Sequence, residues 1–210
     1  MNIFLKSLNC DFNLYLKLQF KLFFICLVFS CILMNQALAH QPLLDSGNAS
    51  NSFTDPFIIN EPEISKVIFS ELTGKSHYYL IESSTPFSFY LGITQPMIEG
   101  CPMNSNFSFE VLDFNNHIID RRDGYEFEWW QWFEEYGNDW YWIGPEIGKD
   151  FMSDRVYEPG KYYIRVFNDD NIGKYGLTVG DIEKFTLPVI VRTLLNMPKI
   201  ESKYWNQSSC

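Results

Sequence analysis

RVYEPGKYYIRVFNDDNIGKYGLTVG, residues 155 to 180, holds two alternating runs joined by turn residues. In the first run Tyr163, Arg165 and Phe167 project to one side and Tyr162, Ile164 and Val166 to the other, because successive side chains of an extended chain alternate. One face suits a core and the other is partly wet, as in an antiparallel sheet covered on one side. Pro159-Gly160 opens this strand, Asn168 to Gly173 makes a hairpin tip, and KYGLTVG (174 to 180) returns.

The same pattern recurs upstream. KVIFSEL (66 to 72), SHYYLIES (76 to 83), PFSFYLGI (86 to 93), FSFEVLDF (107 to 114) and DRVYE (154 to 158) are short, rich in β-branched and aromatic residues, and bounded by turn signals such as Thr73-Gly74-Lys75. Their spacing predicts an all-β fold, an antiparallel β-sandwich over residues 64 to 182. Residues 40 to 63, rich in Asn, Ser, Asp and Pro, read as an extended or disordered arm. Residues 183 to 210 read as a C-terminal helix and tail. The helix is placed on LPVIVRTLLNM (187 to 197), either packed on the sandwich or offering a surface to a partner or membrane.

Residues 155 to 180 also resemble the C-terminal half of the bacterial pre-peptidase C-terminal domain. Pro159-Gly160, Tyr162-Tyr163-Ile164-Arg165-Val166 and Tyr175-Gly176-Leu177-Thr178-Val179 carry the resemblance. It implies a jelly-roll-like topology and a secreted, non-catalytic accessory or adhesion role. It transfers no functional residue, since the family has no catalytic motif and its calcium ligands have no clear counterpart. Residues 121 to 150 read as an insertion.

The chain start predicts export. Lys17 and Lys21 precede the apolar run Phe23 to Met34, and Ala37-Leu38-Ala39 follows, the order of a secretory signal over residues 1 to 39 with cleavage before His40. The alternatives are an uncleaved anchor and a lipoprotein tethered through Cys31. A periplasmic, secreted or cell-surface location follows, with membrane contact only if the signal is retained or lipidated. The whole chain carries a net charge of −10, and loss of the signal makes it about −12. Such an acidic chain lacks the basic footprint of a nucleic-acid binder. Signal removal leaves Cys101 and Cys210, which either pair or remain free thiols.

The most unusual stretch is EFEWWQWFEEYGNDWYWIGPEIGKDF (126 to 151), with Trp129, Trp130, Trp132, Trp140 and Trp142 among its aromatics. Such rings either close one end of the sandwich or form a platform for a glycan or protein ligand, with nearby carboxylates accepting hydrogen bonds from sugar hydroxyls. Glu134, Glu135, Asp139, Glu146 and Asp150 contain the raw material of a glycosidase pair, although solvated acids are commoner in an acidic chain. No Gly-x-Ser-x-Gly, His-Glu-x-x-His, phosphate-cradling loop or Cys-x-x-Cys occurs, so no catalytic residue is assigned.

No cofactor is expected, with two metals kept as alternatives. A free amine on His40 and its imidazole, with His77 or His117, would chelate copper. Asp120, Asp123, Gly124 and Glu126, or Asp169, Asp170 and Asn171, offer oxygen ligands for calcium without an EF-hand spacing.

Overall fold

A computed structural model describes Gln19, Lys21 and residues 40–45, 52–98, 101–103, 105–135 and 137–205. The chain divides into residues 1–38 and a compact unit, Ala39–Cys210, which carries the sandwich. The signal and the Cys31 and Cys210 assignments lie outside the described residues. No described helix is long and apolar enough to cross a membrane.

The strands run β1 Gln41–Leu44, β2 Phe57–Ile58, β3 Lys66–Thr73, β4 His77–Ser83, β5 Phe87–Ser88, β6 Leu91–Pro96, β7 Ser108–Leu112, β8 Ile118–Arg122, β9 Trp130–Glu134, β10 Asp139–Ile147, β11 Val156–Tyr157, β12 Gly160–Phe167 and β13 Ile172–Val179. A six-stranded sheet, β1-β3-β13-β6-β10-β9, faces a five-stranded sheet, β2-β4-β12-β7-β8, and β5 pairs with β11. The fold is an all-β sandwich followed by one helix, α1, Leu187–Ile200.

Most pairings are antiparallel, with two exceptions at sheet edges. β1 runs parallel to β3 and β2 parallel to β4. Both lie in the 40 to 63 segment, which adds an edge strand to each sheet and turns at residues 53–54, before β2, and 60–63, before β3. β8, β9 and β10 likewise place Ile118–Arg122, Trp130–Glu134 and Asp139–Ile147, much of the span read as an insertion, in the two sheets.

The alternation on β12 survives in three dimensions. Ile164 and Val166 are fully buried and Tyr162 packs against the same core, while Tyr163, Arg165 and Phe167 lie half-buried on the other side. From the facing sheet, Ile68, Leu72, Leu91, Ile93, Leu177 and Val179 complete the interior. On the outer face of β12 the carboxylate of Glu110, 1% exposed, sits among cations. Arg165 Nη2 is 2.7 Å from Oε2, in ion-pair range but outside hydrogen-bond geometry, and Arg121 Nη1 donates to Oε1 at 3.3 Å. Both guanidiniums also lie over the Phe167 ring, at 4.7 and 5.6 Å from its centroid. These contacts keep a buried carboxylate from being an isolated charge.

One end of the interior is polar. Tyr79 and Tyr175, on opposite sheets, bring their hydroxyls to 2.6 Å. His77 Nδ1 is 2.9 Å from the Tyr175 hydroxyl and 3.1 Å from Ser70 Oγ, and Ser70 Oγ donates to Asp45 at 3.0 Å. Burial lowers the His77 pKa, partly offset by the Asp45 charge, and raises both phenols.

The helix is longer than its sequence pattern suggested. Pro198, the residue just past the 187 to 197 span, lies inside the last turn, and a π-helical turn continues over Glu201–Trp205. Proline removes a hydrogen bond here, but Ile200 and Tyr204 are buried against Val67 and Phe69 and hold the segment down.

Two measurements check this architecture. Ile164→Ala should lower unfolding free energy by about 2–5 kcal/mol in urea titration, the usual range for emptying a filled core site. His77 sets a pH dependence: the unfolded imidazole binds a proton more readily than the folded one, so stability should be full above pH ~6.5 and fall as the pH drops below it. His77→Gln should be less stable overall yet lose that part of the slope, and an unchanged slope would assign it to other groups.

Candidate functional site

The aromatic stretch folds into a hairpin. β9 and β10 pair with Glu134 opposite Asp139, Trp132 opposite Tyr141 and Trp130 opposite Ile143. Asn138 takes a left-handed conformation at φ 57°, and the Gly137 amide donates to Glu134 to close the turn. Gly137-Asn138 is a hairpin turn signal that the reading of residues 121 to 150 as an insertion passed over.

Pairing sorts the five tryptophans into three environments. Trp129 is structural: its indole N–H donates to the Gly124 carbonyl at 2.8 Å. Its ring lies against Gly144, where an added Cβ would come within 2.3 Å of the ring. Trp130 and Trp132 share the outer face of the six-stranded sheet with Tyr141, because cross-strand partners lie on one face. Trp140 and Trp142 project to the opposite face, where Trp140 packs on Phe133 at 5.2 Å between centroids. The single platform read from the sequence is therefore two surfaces, with Trp130 43% and Trp140 48% exposed.

The outer surface is the more extended. Phe151 lies 6.1 Å from Trp130 and 5.4 Å from Trp132, Trp132 lies 6.3 Å from Tyr141, and Tyr141 meets Trp205 edge-on at 5.0 Å. Phe151 arrives through a tight turn in which Lys149 and Met152 exchange backbone hydrogen bonds at 2.9 Å. Asp150 and Phe151 both have positive φ, 52° and 65°, which costs a bulky residue about 1–2 kcal/mol. The sequence reading passed over Phe151 and Trp205, and nothing in their spacing links them to the hairpin.

Glu134 and Asp139 border this surface. Burial, then the Glu134 charge, raises the pKa of Asp139, and burial with both carboxylates raises that of Tyr141. Glu135 and Asp150 are exposed, while Glu146 Oε1 accepts the Asp150 amide at 3.3 Å. The pairing brings together only Glu134 and Asp139 of the five acids.

The three histidines have separate surroundings. His40 Nδ1 bonds to Ser65 Oγ, and burial lowers the His40 pKa to about 4. A chelate closed from an α-amine onto its own ring uses that same nitrogen, so copper would have to displace Ser65. His77 belongs to the interior network, and His117 is an exposed turn residue 3.2 Å from Asp113. Among the described residues no three His, Cys, Asp or Glu side chains form a metal-holding group.

Asp120 is bridged by Arg122 and Arg155, and Asp123 by Arg121. Asp169 accepts from the Tyr125 hydroxyl at 2.6 Å, and Asp170 from the Ile172 amide at 3.1 Å. Cys101 is disulfide-bonded.

No family model matches the chain. No curated protein matches it either. Among solved structures, the chain is similar to the pre-peptidase C-terminal domain of a collagenase from Bacillus anthracis, at 14% identity over 60% of this chain and 93% of that one, with a TM-score of 0.34. That is a distant resemblance at the level of the fold.

Proposed function

We propose that this protein is an exported, non-catalytic binding or accessory sandwich that takes a glycan on the outer aromatic surface of its β9–β10 hairpin. One observation carries the reading: Trp130, Trp132, Phe151 and Tyr141 line one solvent-facing strip with Glu134 and Asp139 at its margin. Aromatic faces stack on the C–H faces of sugar rings, and carboxylates accept hydroxyl hydrogen bonds. The backbone cost of holding Phe151 beside both tryptophans supports a purpose beyond packing, since strain tends to collect at functional surfaces. Export rests on the order of Lys17, Lys21, the apolar run and Ala37-Leu38-Ala39.

Glycan-array screening, followed by titration of the best ligand, tests this. Trp130→Ala should weaken binding about 3- to 10-fold, the range of one aromatic contact, and Trp132→Ala by at least as much. Trp140→Ala, on the opposite face, should leave affinity unchanged. Loss through Trp140→Ala alone would move the surface to the other side of the hairpin, and no glycan binding at all would reject the ligand class.

A further inference from the structure

Helix α1 turns the wrong side to the sandwich. Leu187, Ile190, Val191, Leu194 and Leu195 follow the i, i+3, i+4, i+7, i+8 spacing that normally marks a core-facing stripe. All five are exposed, Leu187 at 74% and Leu194 and Leu195 at 68%. The helix is held instead by its other side, where Ile200 is buried, Val189, Thr193, Asn196 and Met197 are half-buried, and Arg192 Nη2 donates to Gln41 Oε1 at 3.1 Å. Ile182 and Phe185, just before the helix, are exposed as well.

We propose that this stripe is a membrane-surface site, with α1 lying in the interface of a lipid bilayer. Charge selects this occupant. In a chain of net charge −10, residues 184 to 200 contain Lys184, Arg192 and Lys199 and no acid; Lys184 is ion-paired with Glu61, which leaves Arg192 and Lys199 as the cations of the stripe's margin, and Glu183 and Glu201 lie just outside. An apolar stripe with a cationic margin and long basic side chains that reach to phosphate level is the pattern of an interfacial helix. A second copy fits less well, because neither stripe would bring an acid to answer the other's Arg192 and Lys199. The acidic remainder is repelled from anionic lipid, which favours docking with this side down.

The surroundings agree with this orientation. Gln41, at the start of β1, is bonded to both Arg192 and the Lys184 carbonyl, so that end of β1 lies beside α1. The charges of Lys184 and Arg192 also help hold the Lys66 ammonium low, to about 8, after burial and against the opposing pull of Glu61.

Vesicle flotation of the protein recovered from its native host tests the site, using phosphatidylcholine vesicles and mixed phosphatidylcholine–phosphatidylglycerol vesicles. The protein should float with the mixed vesicles, and Leu194→Glu with Leu195→Glu should weaken partitioning at least about tenfold. Both side chains are exposed, so the thermal midpoint should hold, and Leu194→Ser with Leu195→Ser serves if it does not. No flotation with either vesicle overturns the proposal. So does flotation indifferent to both double variants, which would assign binding to a retained residue 1–39 segment. A concentration-dependent dimer abolished by the variants, without vesicle binding, would make a second copy the occupant and overturn it too. None of these outcomes depends on glycan binding.

Discussion

Two phenols set the spacing of the sandwich. Tyr79 on β4 and Tyr175 on β13 are both fully buried, and each is the other's hydrogen-bond partner across the gap between the sheets. A buried hydroxyl without a partner costs about 1–3 kcal/mol, so the pair penalises any displacement of one sheet against the other. A one-residue slip of β4 would turn Tyr79 outward and bring Tyr78 in, orphaning Tyr175 as well as emptying a large core position. His77, Ser70 and Asp45 extend the constraint to β3 and to the residue after β1. The polar end of the interior thus fixes register, while the aliphatic remainder supplies most of the burial energy.

With the inner faces committed, the outer face of the six-stranded sheet is left for display. Part of it is covered by Ile200 and Tyr204, packed on Val67 and Phe69. From there rings continue without interruption: Phe69 to Tyr204, Tyr204 to Trp205, Trp205 to Tyr141, and onward to Trp132, Phe151 and Trp130. The hairpin surface and the end of the helical segment are therefore parts of one aromatic path, and the strip proposed to face a ligand is braced by rings that do not.

Strands whose two faces meet different surroundings were legible. β3, β4, β7, β12 and β13 have apolar side chains on their inner face, and alternation revealed them. β1 and β2 are too short to show a period and exist because the edges of β3 and β4 accept them. β9 and β10 were obscured because aromatics occupy both faces, as in Trp132 and Phe133 or Tyr141 and Trp142, so no alternation remains to be read. The candidate surface was half legible for that reason: its tryptophans stood out by type, but only pairing could divide them between faces. The periodicity of α1 was visible, yet periodicity says that a stripe exists and not which side of the helix meets the core.

The parallel docking of β1 also bears on the order of events during maturation. Gln41 through Leu44 are zipped onto Lys66 through Phe69, and the His40 ring is tied to Ser65. A peptidase holds its substrate as an extended strand in its own cleft, and residues already hydrogen-bonded into a sheet cannot enter it. The proposed cut after Ala39 would therefore come before β1 is added, while β3 waits with an open edge. Under that proposal, processing and completion of the six-stranded sheet form a sequence in time, with β1 joining β3 only after the cut.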